Sequence, residues 1–236
     1  MFKAILEVVK FVEPDEIVHI GDLMDYPQPS RWTKGTREEF EGNIYSASEA
    51  AKKAILEPLR AVFDGPIGVH EGNHDMRPRL YLEKYAPALS KTNMLNFENL
   101  LDFDGLGITR LPDFYNVAAG WITTHGHLGG IRLNQNAGMT ALNGAKRIGK
   151  NVIMGHTHRA GVSSFTQGIE GQTNTITGVE VGHILNPKAV TYLRGASGNW
   201  QQGFALLEID KNNVTPRILP VLGNKVIVDG VVFPTR

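Results

Sequence analysis

The chain contains no cysteine among its 236 residues. That absence excludes a disulfide framework, a thiolate nucleophile and Cys-based zinc or iron–sulfur sites, and leaves His, Asp, Glu and Asn to hold any metal. Net charge is absent too, because 24 Lys and Arg balance 24 Asp and Glu. No global field then draws the chain onto DNA or anionic lipid, and nucleic-acid binding would need a local patch. No apolar run approaches the roughly 18 residues of a membrane span. Aromatic residues make up only 8%, and Trp32, Trp121 and Trp200, isolated from one another, read as packing residues rather than a base-stacking platform. What is present, 42% hydrophobic and 20% charged residues, suits an ordered globular chain, read as a single domain over 1–236.

The first element reads as a helix, with Phe2, Ile5, Leu6, Val9 and Val12 on one face. Glu7 interrupts the apolar stretch and no small-residue cleavage site follows, so this is not a signal peptide and the expected location is cytoplasmic. Glu13-Pro14-Asp15 ends the helix, and a β-branched run from Glu16 to Ile20 leads into Gly21-Asp22. Helical composition runs from about Arg37 to Phe63, with Ser46 and Glu49 at capping-box spacing and a break at Pro58. A second strand, Pro66 to His70, leads into Glu71-Gly72-Asn73-His74-Asp75 and then into helical sequence from Arg77 to Leu101, broken at Pro87. A third, Trp121 to Thr124, ends in His125-Gly126-His127. After helical Ala141 to Ile148, a fourth, Asn151 to Met154, ends in Gly155-His156-Thr157-His158. Beyond Ala160 come short β runs at Thr175–Val181, Ala189–Leu193, Phe204–Ile209, Thr215–Val221, Lys225–Val228 and Val231–Phe233. The expected class is α/β, with 1–160 as the site-bearing part and 161–236 as a β-rich second sheet.

In open α/β sheets ligands bind beyond the carboxyl ends of strands, so polar residues just past four strands should converge. Here they are ligand types. Asp22, Asn73, His125, His156 and His158 supply a carboxylate, an amide oxygen and three imidazoles, a set suited to Mn²⁺, Fe²⁺ or Zn²⁺. In order, Gly21-Asp22-x-x-Asp25, Gly72-Asn73-His74-Asp75, Thr124-His125-Gly126-His127 and Gly155-His156-Thr157-His158 resemble the calcineurin-like metallophosphoesterase family across about residues 2 to 160. The resemblance implies a four-layer α/β/β/α sandwich around two divalent metal ions, Mn first and Fe or Zn as alternatives. It implies hydrolysis of phosphomonoesters or phosphodiesters by a hydroxide generated between the metals. On it, Asp22 bridges both metals, Asn73, His125 and His156 complete one site, and His158 belongs to the other. His74 is the acid or charge stabiliser at the leaving oxygen, and Asp75 orients it. Asp25 either supports the metal ligands from outside or caps a loop amide, and His127 faces either substrate or solvent. Arg77 and Arg159 either clamp phosphate oxygens or form surface ion pairs. His19, an odd number of residues before Asp22, is expected to pack on the opposite face, and His70 and His183 are given no function.

The resemblance has one gap, since no Asp-x-His precedes Asp22. The first strand and its two ligands are then missing, and the second metal site, left with Asp22 and His158, is weakened. Either the start lies upstream or the protein has shed the motif, and a late segment such as Val231 to Phe233 is a candidate to fill the place. The leading expectation is a metal-dependent phosphoesterase acting on a phosphate-ester substrate, with no membrane partner, impaired in this chain by the loss. A binding or scaffold module with a vestigial metal site is the alternative from another class. A DNA nuclease would draw on Arg31, Lys34 and Arg37, on Arg77 and Arg79, or on Lys146, Arg147 and Lys150, and neutral net charge disfavours it. In texture the match is most similar to small family members carried by bacteriophages and bacteria, whose workplace would be the host cytoplasm.

Overall fold

Helix α1 spans Phe2–Val12 as expected, but the residues it buries are Ala4 and Val8, to one side of the expected face, whose Phe2, Ile5, Leu6, Val9 and Val12 are each half-buried. It opens a computed structural model that describes residues 1–186, 198–211 and 213–235. The expected strand Ala189–Leu193 lies outside the described residues. The chain forms two compact units, Val9–Pro112 and Met1–Val8 with Asp113–Arg236, and its class is mixed α/β.

In the Val9–Pro112 unit, β1 (Ile17–His19), β2 (Ile67–Val69) and β3 (Ile108–Arg110) form a parallel sheet in the order β1-β2-β3. The central β2 is buried throughout, as a parallel strand between two neighbours should be. The helical stretch 37–63 resolves into α2 (Arg37–Phe40), α3 (Ile44–Ala51), a π-helical turn Lys52–Leu56 and α4 (Glu57–Arg60). The N-cap of α3 is Asn43, whose Oδ1 accepts from Tyr45 N at 2.8 Å and Ser46 N at 3.4 Å. The expected capping residue Ser46 instead turns its hydroxyl back onto Asn43 O at 3.0 Å. Pro58 removes an amide from the ladder, and the wider turn just before it lets the helix continue with Leu56 and Leu59 buried. Helix α5 (Arg77–Tyr85) stops short of Pro87; a 3₁₀ turn, α6 (Phe97–Leu100) and α7 (Phe103–Leu106) follow. Phe97 and Phe103, both buried, meet edge to face at 5.0 Å.

The other unit carries β4 (Tyr115–Ala118), β5 (Trp121–Thr124), β6 (Asn151–Met154), β7 (Ala160–Ile169) and β8 (Gln172–Val181) in one sheet, ordered β4-β5-β6-β8-β7. Strands β5, β6 and β8 are parallel, while β4 and β7 pair antiparallel at the edges. Alternation sorts the side chains. Ile122, Val152 and Met154 pack with Ala141 and Ala145 of α8 (Met139–Ile148), and Trp121, Ile153 and Val179 pack with Leu207, Val214 and Ile218. Those last three belong to the antiparallel pair β9 (Gly203–Asp210) and β10 (Asn213–Pro220). At Gly178 a Cβ would strike the backbone of Ala141 and Leu142, so glycine lets α8 approach β8.

Two expectations change here. The texture shift near residue 160 does not separate two sheets, because β8 pairs parallel with β6 in one sheet, with Val179 opposite Ile153; the units divide at Pro112 and Asp113. The segment Val231–Phe233 lies in β12 (Val231–Pro234), which pairs with β11 (Lys225–Val228) as a hairpin rather than standing in for a first strand. Among the described residues no helix is long and apolar enough to cross a membrane.

Candidate metal centre

Strands β1 and β2 pair His19 with Val69, so Asp22 and Gly72 each lie three residues past the same rung. A Cβ at Gly72 would run into Asp22 Oδ1 and the Asp22 amide nitrogen, so only glycine lets the two strand-end loops meet. His74 N donates to Asp22 Oδ1 at 2.9 Å. Asp22 itself holds φ at 52°, a left-handed conformation that costs a non-glycine residue about 1–2 kcal/mol. Asn73 is half-buried and lines a cleft with Met76 and Arg77. His19 Nδ1 accepts from Gly21 N at 3.2 Å, in line with the packed, hydrogen-bonded histidine predicted.

The carboxylate that orients His74 is Asp25, which corrects the assignment of that role to Asp75. Asp75 is 0% exposed and accepts from Met24 N and Gly72 N, both at 2.8 Å, so it ties the loop after β1 to the loop after β2. Asp25 Oδ1 lies 2.6 Å from His74 Nδ1 and 2.8 Å from Arg77 Nη1, and Arg77 Nη2 lies 3.2 Å from His74 Nε2. A guanidinium can only donate, so Nε2 accepts and the imidazole proton sits on Nδ1 facing Asp25. The hydrogen bond from His74, and then the Arg77 charge, hold the Asp25 carboxyl below its ordinary range against the opposing effect of burial. Arg77 therefore forms an ion pair with Asp25. Arg79 is tied to Glu71 and Glu83.

In the other unit, β5 and β6 pair Thr124 with Met154, so His125 and His156 follow the ends of adjacent parallel strands. Their rings lie 5.1 Å apart, and the His127 ring lies 5.2 Å from His125 and 6.3 Å from His156. The loop 155–159 joins β6 to β7, and because β8 lies between them in the sheet the loop must cross the end of β8. There the Thr157 hydroxyl donates to Glu180 Oε1. Glu180 is 0% exposed, and burial pushes its carboxyl up, with the Thr157 hydrogen bond the largest opposing effect and the Arg159 charge a smaller one. His156 and His158 take φ of 64° and 60°. His158 O accepts from Gln201 N at 2.9 Å, and Arg159 O from Gly182 N at 2.7 Å. Arg159 Nε is buried with no hydrogen-bond partner among the described residues.

His183, given no function from sequence, stands with its ring 5.7 Å from that of His158, and Trp200 packs edge-on against His158 at 4.4 Å. Burial pushes the His183 imidazole down to about 4. Its signal was available, because Val181-Gly182-His183 at the carboxyl end of β8 repeats the Gly-His that follows β6.

The chain is 54% identical over 232 residues to the gene 54 protein of Mycobacterium phage D29 and 53% identical over 232 residues to that of Mycobacterium phage L5. Each match covers 98% of this chain and 91% of the relative. The chain belongs to the mycobacteriophage gene 54 protein family. No protein-family model and no solved structure matches it. In this gene 54 family member, oxygen donors Asp22 and Asn73 follow the parallel strands of one unit, and imidazoles His125, His156 and His158 follow those of the other.

Proposed function

We propose that this chain is a metal-dependent phosphoesterase that hydrolyses phosphomonoesters or phosphodiesters in the cytoplasm of the phage host. The observation that carries the reading is the placement of metal-ligand side chains just past the ends of parallel strands, three of them (Asp22, His156 and His158) on left-handed backbone. Left-handed non-glycine residues cluster at sites where function demands a particular side-chain direction. The motif order that resembles calcineurin-like metallophosphoesterases supplies the chemistry, and the α/β/β/α layering is proposed with it. Asp22, Asn73, His125 and His156 would hold one divalent ion, and Asp22 with His158 a second, weaker one; this mixed oxygen and nitrogen set suits manganese, iron or zinc. When bound, such ions supply a water acidified toward neutral pH and positive charge for the phosphate oxygens.

The chain's own residues would do the rest. His74, whose Nδ1 proton faces Asp25, would serve as acid or charge stabiliser at the leaving oxygen when a second proton on Nε2 takes the place of the Arg77 contact. Asp75 would keep the loop bearing His74 and Asn73 fastened to the loop bearing Asp22. A scaffold protein with a vestigial site has no use for an Asp25–His74–Arg77 arrangement, which favours the enzyme.

The test is metal content of the purified chain, with hydrolysis of a bis-aryl phosphodiester followed in added Mn²⁺. Bound metal and Mn²⁺-dependent turnover are expected, and His74→Ala should lower turnover about 10²-fold or more while metal content is kept. No turnover, with or without bound metal, would overturn the enzyme reading in favour of a scaffold, and turnover indifferent to His74→Ala would take His74 out of the catalytic machinery.

A further inference from the structure

We propose that the cleft between the 29–34 loop and helix α5 binds a nucleoside phosphate, its base stacked beside Trp32 and Tyr85 and its phosphate held among the cleft's cations. The cleft lies within the Val9–Pro112 unit and has a volume of about 430 Å³, within the range of small-molecule sites. Arg31, Lys34, Arg77 and Lys84 line it, and among the described residues no carboxylate does. A chain with 24 positive and 24 negative residues thus concentrates positive charge where an anion could enter. Overall neutrality does not argue against a local anion site.

The aromatic residues supply the second half of the argument. Trp32 is 75% exposed, an unusual position for the side chain with the most apolar surface to bury. The Arg31 guanidinium stands 4.6 Å from its ring centre, a stacked cation that leaves the indole available to a flat partner. On the opposite wall Tyr81 and Tyr85 lie 4.6 Å apart, with Lys34 Nζ 3.2 Å from the Tyr85 ring centre. A hydrogen bond with Tyr85 pushes the Lys34 pKa up, so this ammonium stays charged. Rings and cations alternating along one cleft are the arrangement that takes up nucleotides, by base stacking and phosphate pairing together. Arg77 is paired with Asp25, and the remaining Arg31, Lys34 and Lys84 still exceed the charge of a single phosphate, so the cleft suits a free nucleotide or successive residues of a single strand. Asn73 and Arg77 also line the cleft, and the proposal rests on the phosphoesterase reading in taking that end as the reacting end.

The experiment measures binding apart from hydrolysis, by quenching of tryptophan fluorescence in the full chain with EDTA present. The probes are adenosine 5′-monophosphate and a four-residue oligothymidylate, with inorganic phosphate and phenyl phosphate as comparisons. Saturable quenching by either nucleotide probe is expected, abolished in Trp32→Leu and weakened about tenfold in Tyr85→Leu. Both residues are exposed, so folding should survive, and Arg31→Ala gives a third variant that spares the rings. Tighter binding of the oligonucleotide assigns the site to strands and tighter binding of the monophosphate to free nucleotides, and both support the proposal. No saturable quenching, quenching unchanged in Trp32→Leu, or equal affinity for phenyl phosphate would overturn it. Nucleotide binding without Mn²⁺-dependent hydrolysis of either probe or of an aryl phosphodiester would keep the cleft assignment and sink the phosphoesterase reading. Turnover of an aryl phosphodiester without nucleotide binding would do the reverse.

Discussion

Past β1 and β2, the ligand-type residues are oxygen donors, and their loops are held by carboxylates that accept backbone amides, Asp75 from Met24 and Gly72 and Asp22 from His74. Past β5 and β6 they are imidazoles, and their loops are held by ring contacts, by the buried Thr157–Glu180 bond and by backbone bonds from Gln201 and Gly182. A carboxylate that accepts two amides fixes a loop through the backbone itself, so a single substitution undoes it. A histidine fixed by neighbouring rings and strand register shares its support among many contacts. The two sets of strand ends should therefore fail differently.

The largest effect is expected where one side chain carries most of a loop. Asp75→Ala would leave two buried amides without their acceptor and should lower stability by about 3–4 kcal/mol, read as a shift in the denaturant midpoint at constant slope. A loss below about 1 kcal/mol would show that Asp75 is not the clamp. Gly72→Ala comes next. Its Cβ must displace Asp22, so a cost of about 1–3 kcal/mol is expected, together with loss of metal binding by equilibrium dialysis; unchanged metal affinity would separate Asp22 from the site.

On the imidazole side, Thr157→Val removes one donor from buried Glu180 and should cost about 1–2 kcal/mol, with metal affinity falling less than in Gly72→Ala. The opposite ranking of the two affinities would reverse the comparison. The smallest effect is a titration. Tyr26 is 1% exposed and shares a 2.6 Å hydrogen bond with Ser48; burial, with a smaller push from the Asp75 charge, raises its phenol to about 12. An acid whose folded value is raised favours the folded state while protonated, so its contribution is full below the ordinary value of about 10 and is lost as pH rises through 12. Ultraviolet titration should find a phenol ionising near 12 that Tyr26→Phe removes, and Asp75→Asn should lower its midpoint slightly.

Much of the frame was legible in the sequence. Strands β1, β2, β5 and β6 are apolar or β-branched runs that stop at a polar strand-end loop, and helices α1 and α8 show apolar residues at helical spacing. Strand β3 is only Ile-Thr-Arg, too short to carry a period, and β7 reads Ser-Ser-Phe-Thr-Gln, mostly polar because it is an edge. Its turn, Glu170-Gly171 with φ of 53° and 79°, has the left-handed backbone of a tight hairpin but lacks the usual Asn-Gly. At the site, adjacency misled. Asp75 neighbours His74 in sequence yet points into the protein, while Asp25 reaches the imidazole from the other loop. Isolation misled at Trp32, whose cleft partners Tyr81 and Tyr85 arrive on a helix some fifty residues later. Counting charges over the whole chain likewise hides four cations gathered in one cleft.

The left-handed backbone at His156 and His158 sets stability against service at two positions. Glycine there would relax the chain and remove the donor atom in the same stroke. A library of variants sorted only for heat resistance should enrich glycine at 156 and 158 but not at 22, where the carboxylate also holds His74 N, and the same library sorted for metal retention should purge it. Divergence between those two selections would reveal which positions this fold keeps for its own integrity and which it holds under tension for a ligand.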